Sequence, residues 1–216
     1  MPLRTVTPRW RAAAVQDRSR RTEAALAKAA ATLMRDRPFE EISVADIAGK
    51  AGVAVGTVYR RFRDKAALLH LADTAFIDDC RAAFDEELAD ARVRRLSLEG
   101  VARGYISLMV RKFREHRGAI IQIQRNADLR DGPVYAQRAA EFNAHVHGRF
   151  RELLRAHRDE ITHPNLEDAL NLAIFFASAA ARDAIWRGSL KAYPIDVDDD
   201  RLIDEIVRAF VAFLRS

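Results

Sequence analysis

Apolar residues recur at every third or fourth position along almost the whole chain, and runs that alternate apolar and polar residues are scarce. This spacing predicts an all-α fold with about nine helices. With 216 residues, 49% of them apolar, the chain is long enough for one or two domains with a proper hydrophobic core. Its longest apolar run, near 172–181, is shorter than the roughly 20 residues that a membrane span needs, so we expect no membrane association.

Basic residues are concentrated towards the N-terminus: residues 1–72 carry a net charge of +7, and residues 73–216 a net charge of −2. This asymmetry favours contact with a polyanion, although a solvated charged surface would have the same composition. The single cysteine, Cys80, excludes an intrachain disulfide and any cysteine-rich metal site. A lone thiol, together with an N-terminus that lacks the apolar stretch of a signal peptide, favours a cytoplasmic location.

Prolines and glycines divide the chain into an arm, a small head and a larger body. Residues 1–17 contain two prolines and no apolar stripe, which predicts a flexible basic arm. The head, 18–64, is predicted to contain a helix over Ser19–Arg37 and two short helices, Val44–Ala51 and Val55–Phe62. The body, 65–216, is predicted to contain helices over Lys65 to about Asp90, Ser97–Glu115, Gly118–Arg125, Pro133–His157, Leu166–Arg187 and Arg201–Arg215.

The two short helices of the head have the spacing of a helix-turn-helix unit. Ser43 is followed three residues later by Asp46, a pattern typical of a helix N-terminus. Gly52 permits the left-handed backbone that the turn between two helices requires. Val58 would hold the second helix on the core, while its other face enters the major groove of DNA. The residues assigned to the DNA-facing side are Ala54, Val55, Gly56, Thr57, Arg60 and Arg61.

The pattern D-I-A-x-x-A-G-V-x-x-G-T-x-Y-x-x-F-x-x-K, which covers Asp46–Lys65, resembles the DNA-binding head of the TetR (tetracycline-repressor-like) family of bacterial transcriptional regulators. The resembling part covers about Thr22–Leu69. The resemblance implies a dimeric repressor, and two helix-turn-helix units one helical turn of DNA apart would read a palindromic operator. The resemblance further implies that the C-terminal body binds a small effector, and that the effector releases the protein from double-stranded DNA.

Carried over position by position, the resemblance implies phosphate contacts from Ser43, Tyr59 and Lys65. It implies that the backbone at Gly56 approaches the DNA, and that Thr57 contacts the DNA backbone or a base. Two departures from the family pattern bear on specificity. Ala54 stands where the family often has Ser or Thr, so the second helix lacks a side-chain cap. The pair Arg60–Arg61 replaces more usual His or aromatic residues, and either arginine could bind guanine through two hydrogen bonds.

The C-terminal body is expected to supply a dimer interface and an effector pocket. Wide apolar stripes on the last two helices exceed what one intrachain contact face needs, and the resemblance places a four-helix dimer interface there. The interface residues assigned are Leu170, Ala173, Ala177, Ala181, Ile203, Ile206, Val207, Phe210 and Phe213. Large apolar residues of the intervening helices leave room for a mostly apolar pocket, although each one singly fits a core residue better than a ligand contact. The pocket residues assigned are Tyr105, Met109, Phe113, Gln122, Phe142, His145, Asn171 and Phe175.

No sequence motif favours an enzyme, a cofactor or a metal site. His145 and His147 are two residues apart, which on a helix directs them to nearly opposite sides. The acidic run Asp196–Asp200 lacks the glycine of a calcium-binding loop, and it suits the N-terminus of the last helix. We therefore expect no catalytic residue, cofactor or metal. Two alternatives remain open: a helical small-molecule-binding protein or enzyme with a vestigial DNA-binding head, and a non-specific architectural DNA binder.

Overall fold

The computed structural model describes residues 9–34, 37–89, 93–117, 132–186 and 197–216. In these ranges the chain forms α-helices and short 3-10 turns and no β-strand, which confirms the all-α prediction. The α-helices are α1 (Arg9–Leu33), α2 (Val44–Ala51), α3 (Val55–Tyr59), α4 (Lys65–Ala89), α5 (Leu98–Glu115), α6 (Gly132–Arg155), α7 (Leu166–Trp186) and α8 (Asp199–Leu214). The predicted helix Gly118–Arg125 lies outside the described residues. None of the described helices is both long and apolar enough to cross a bilayer.

The contacts divide the chain into two compact units, Met1–Ala75 and Phe76–Ser216. In the first unit, α1 packs on α2, and α3 packs on α2. The core of this unit is made of fully or almost fully buried apolar side chains: Leu26, Ala30, Met34, Ile42, Ile47, Val58 and Leu68.

Local capping signals fix the helix-turn-helix as the sequence predicts. The backbone N–H of Asp46 donates to the Ser43 hydroxyl at 3.0 Å, and the N–H of Ser43 donates to the Asp46 carboxylate at 2.9 Å. This capping box satisfies two N–H groups at the start of α2, which begins at the predicted Val44. α2 ends at Gly52, whose φ of 68° and ψ of 31° are left-handed. The turn is therefore possible at little cost because Gly52 has no Cβ.

Two predicted boundaries in the first unit are wrong. α1 begins at Arg9, so the predicted flexible arm over 1–17 is helical from that residue onwards. The run Ala12–Ala14 favours a helix by intrinsic propensity, and this needs no apolar stripe. α3 ends at Tyr59, short of the predicted Phe62, and Arg60 and Arg61 lie in a turn.

The second unit is built around α5, which packs on both α7 and α8. Its aromatic core centres on Tyr105, whose ring stacks on Phe150 at 3.9 Å with an interplanar angle of 5°. Phe84 lies 5.3 Å from Tyr105, and Phe210 lies 5.9 Å from Phe150, measured between ring centroids. The acidic run caps the last helix as predicted, because the Asp198 carboxylate accepts from the backbone N–H of Arg201 at 2.8 Å.

Candidate nucleic-acid interface and effector cavity

The outer face of α3 is open to solvent. Tyr59 is 61% exposed and Val55 is 39% exposed, although both belong to large apolar or aromatic types. Gly56 is exposed, and a Cβ built there meets no atom within 4 Å. Val58, on the opposite face, is only 1% exposed and holds α3 on the core. The helix thus presents a smooth outer surface with a tyrosine at its C-terminal end.

The start of α3 lacks a side-chain cap, as the sequence predicts. Ala54 has the extended backbone of an N-cap residue, with φ −70° and ψ 140°, and no side-chain hydrogen bond. Just after the helix, Arg60 Nη2 donates to the Thr57 hydroxyl at 3.1 Å. This bond holds an exposed guanidinium beside the outer face of α3, where a base edge would lie.

In the free protein, Arg61 and Lys65 have partners within the head that the sequence does not predict. The Arg61 guanidinium donates to the Ser19 hydroxyl and lies 3.5 Å from the Glu23 carboxylate, so it is bound to α1. Lys65 Nζ donates to the backbone carbonyl of Glu40 at 2.9 Å and lies 4.7 Å from the centre of the Phe39 ring. In the free protein both cations connect elements of the head. Sequence reasoning missed these partners because they are far away in the chain.

The hydroxyl groups of Ser43 and Tyr59 can each donate a hydrogen bond to a phosphate. The Ser43 oxygen accepts the capping hydrogen bond, which leaves the hydroxyl hydrogen for an external acceptor. Helix α2 also directs the free N–H groups of its first turn outwards near this residue, and such groups attract anions. The exposed Tyr59 hydroxyl can donate in the same way.

Comparison with protein families identifies this head. Residues 26–72 match the model of the bacterial regulatory proteins of the tetR family, over the same helix-turn-helix. The head of this chain therefore matches the family model of the TetR regulators.

Solved structures of bacterial regulators share the fold over about 90% of the chain. A TetR-family transcriptional regulator from Rhodococcus sp. superposes with a TM-score of 0.64 at 16% identity, covering 90% of this chain and 99% of that one. A second, from Mesorhizobium loti, has a TM-score of 0.61 at 21% identity, covering 90% and 97%. The fatty acid degradation regulator FadR from Bacillus halodurans has a TM-score of 0.64 at 14% identity, covering 90% and 96%. No curated protein matched in a sequence search.

The second unit contains a cavity of about 420 Å³ between α4, α5, α6 and α7. This volume lies within the range of small-molecule sites in proteins. Six of the predicted pocket residues line it: Tyr105, Met109, Phe113, Phe142, Asn171 and Phe175. The remaining lining residues are Phe76, Ile77, Phe84, Ala139, Asn143, Val146, His147, Arg151, Ile174, Ser178 and Arg182. Most of these walls are apolar, as predicted.

Two predicted pocket residues need comment. Gln122 lies outside the described residues. His145 does not line the cavity, because its ring nitrogen lies 2.6 Å from the Asp85 carboxylate and is held there. His147 lines the cavity in its place. His145 and His147 are about 200° apart around α6. An error of two residues in deciding which side of α6 faces the cavity therefore selects His145 instead of His147.

The predicted dimer residues divide into a buried set and a groove. Leu170, Ala181 and Val207 are at most 1% exposed and pack in the protein's own core, so their side chains have almost no surface to offer a partner. Small side chains on α7 allow close packing, and here they allow it against helices of the same chain. The other predicted α7 and α8 residues except Ile203 line a groove formed by Ala173, Phe176, Ala177, Ala180, Glu205, Ile206, Ala209, Phe210 and Phe213. Ile203 is half-buried beside the core.

Three large apolar residues of α7 are exposed, and one of them, Phe176, lines that groove. Leu172, Phe175 and Phe176 are 42%, 60% and 49% exposed. Phe176 meets Phe213 of α8 edge to face, with ring centroids 5.4 Å apart. Sequence reasoning chose the buried small residues of α7 and missed these exposed ones, although both sets follow helical spacing.

One cluster of possible metal ligands occurs in the described residues, at Asp79, Cys80 and His116, whose ligand atoms lie within 4.8 Å of one another. The same Asp79 oxygen already accepts from Lys112 Nζ at 2.8 Å and lies 3.1 Å from the His116 ring nitrogen. Burial raises the pKa of the Cys80 thiol to about 12, so the thiolate that a metal needs is disfavoured. An adjacent ammonium and a protonated thiol make this a poor cation site.

Proposed function

We propose that this TetR-family protein is a dimeric transcriptional repressor that binds a palindromic operator through α3 and is released by a small, mostly apolar effector. The observation that carries the DNA-binding part is the open face of α3, with Val55, Gly56 and Tyr59 exposed on a family-typical head. Val55 is 39% exposed and Tyr59 is 61% exposed, so much of their surface is not used in the core of the first unit. A groove of DNA would give that surface a contact.

The proposal includes a dimer because a single reading helix of five residues contacts too few base pairs to be specific. Two copies whose reading helices lie one helical turn of DNA apart, about 34–36 Å, double the number of contacts. The exposed strip Leu172, Phe175 and Phe176, with the groove between α7 and α8, is the surface that we assign to the second copy. Contiguous exposed apolar patches of this kind mark interaction sites.

The cavity of the second unit supports the effector part. Among proteins with the same fold, RolR has been solved in complex with resorcinol, with a TM-score of 0.53 at 22% identity, covering 93% of this chain and 90% of that one. An effector that prefers the DNA-free form lowers DNA affinity, and DNA lowers effector affinity by the same factor. Such couplings are typically about 1–3 kcal/mol.

Gel-shift titrations test the proposal. The wild-type protein is expected to bind an operator-like duplex far more tightly than a scrambled one, with affinity falling steeply as salt rises. Tyr59→Ala should weaken specific binding while leaving helix content and Tm unchanged, because Tyr59 is 61% exposed. Equal binding to both duplexes would instead favour an architectural binder. Effector binding without any DNA binding would favour a small-molecule-binding protein with a vestigial head.

A further inference from the structure

The cavity of the second unit is apolar on most sides but has one cationic, hydrogen-bonding wall. On α6, Asn143, His147 and Arg151 follow one another at intervals of four residues, which puts them on one stripe of the helix. On α7, Asn171, Ser178 and Arg182 recur at helical spacing on the stripe that faces the same cavity. All six are lining residues, and no Asp or Glu lines this cavity in the part of the chain that the structure describes.

Arg151 is the central group of this wall. Its Nη1 donates to the Asn171 side-chain oxygen, which links the α6 stripe to the α7 stripe. Its Nε is buried and has no hydrogen-bond partner among the described residues. Over the same residues, no carboxylate lies within ion-pair distance of Arg151, although its charge still acts on Glu167, which pairs with Arg155 at 2.7 Å. A buried guanidinium nitrogen without an acceptor is unfavourable, and a ligand acceptor would relieve the cost.

His147, one turn from Arg151 on α6, adds a hydrogen-bonding group to this wall but no charge. Burial, and secondarily the positive charge of Arg151, lower the pKa of His147, so the imidazole is neutral at neutral pH. It can then donate one hydrogen bond beside the guanidinium.

From these contacts we infer that the cavity takes an effector that carries a carboxylate on an apolar chain or ring, with the carboxylate bound by Arg151. A carboxylate accepts two parallel hydrogen bonds from a guanidinium, a geometry that a neutral amide or alcohol cannot match. A cationic effector would meet like charge at Arg151. The aromatic wall, including Phe76, Phe84 and Phe113, would cover the apolar part. This inference rests on the proposed effector function and names its ligand class.

The test uses isothermal titration calorimetry on the full chain with two matched probe pairs. One pair is octanoate and octanamide, and the other is 4-tert-butylbenzoate and 4-tert-butylbenzamide. The acid of at least one pair should bind about 10- to 100-fold more tightly than its amide, the range expected for hydrogen bonds to a charged group. Within the straight-chain acids, each added methylene should tighten binding about fourfold. Acids no tighter than amides, or no binding of either acid at millimolar concentration, would overturn the inference.

Arg151→Met keeps the length of the side chain and removes its charge, and it should abolish the preference for the acid. Arg149→Met is the matched control on the same helix, because Arg149 does not line this cavity. If Arg151→Met is not folded, the wild-type preference between acid and amide still decides the question. Gel shifts with the bound acid separate the two proposals. An acid that binds through Arg151 without changing DNA affinity would contradict the proposed effector response and leave the ligand class standing.

Discussion

At the residue scale, a substitution at Gly56 is expected to change stability and DNA affinity in opposite directions. Gly56→Ala puts a methyl group on the outer face of α3, where the free protein has nothing within 4 Å. The free protein should be stabilised, by up to about 1 kcal/mol, because alanine favours a helix more than glycine does. DNA affinity should fall by about 1–3 kcal/mol, since the methyl would occupy the space that we assign to the DNA backbone.

Gly49→Ala is the matched control for this substitution. Gly49 lies on α2, is exposed, and also has free space around a Cβ. It should raise stability without lowering DNA affinity. If Gly56→Ala bound DNA as tightly as Gly49→Ala, in parallel gel shifts, α3 would not lie against DNA.

The neighbouring arginines of the head should behave differently from each other. Arg60 lies in the turn after α3 and is held by Thr57 of that helix, so Arg60→Ala should cost about 1–3 kcal/mol on the preferred duplex and relax the preference at one base pair. Arg61 is held by Ser19 and Glu23, so Arg61→Ala should lower the stability of the head by at most about 1 kcal/mol. Binding of duplexes with each base pair varied in turn distinguishes the two. A loss of base preference in Arg61→Ala alone would reverse the assignment.

At the element scale, α3 is the shortest α-helix of the described head. It has five residues, and Ala54 gives it no side-chain cap. Ala54→Ser should add the missing hydrogen bond and stabilise the head by about 1 kcal/mol. Hydrogen exchange of the Val58 backbone amide measures this locally, without assuming that the two units unfold together.

Ala66→Ser is the control for the cap, since Ala66 is exposed inside the first turn of α4, where Asp64 already accepts from Ala67. It should not stabilise the head. Unchanged Val58 protection in Ala54→Ser would show that α3 is not limited by its missing cap.

Elements set by local signals were predictable from the sequence, and those set by distant contacts were not. The start of α2 at Val44 and its end at Gly52 follow from a cap and a left-handed glycine, both within a few residues. The role of Arg61 depends on side chains 38 and 42 residues away, on another helix. The apolar character of the pocket was predictable. The sequence did not show which side of α6 faces the cavity, and for this reason His145 was chosen instead of His147. Arg151 was missed because a charged residue on a helix usually faces solvent.

At the scale of the whole molecule, the choice of the dimer surface was the least predictable step. Alanines on α7 fit an interface between two chains and a close contact within one chain equally well, and the structure uses several of them in the core. Phe176→Glu should therefore disrupt the dimer, because it puts a charge on the exposed strip beside the α7–α8 groove.

Leu96→Glu is the control, since Leu96 is 41% exposed in the same unit but lies outside α7 and α8. Sedimentation velocity should show monomers for Phe176→Glu and dimers for Leu96→Glu. Dimers in both would move the interface elsewhere.

The most direct measurement of the central claim is selection of bound sequences from a pool of random duplexes, with the wild-type protein and Tyr59→Ala in parallel. The wild-type protein should enrich an inverted repeat whose half-sites are centred about one helical turn apart, or a multiple of it. Tyr59→Ala should enrich it weakly or not at all. Enrichment of no motif by the wild-type protein, or equal enrichment by Tyr59→Ala, would contradict the assignment of α3 as the reading helix.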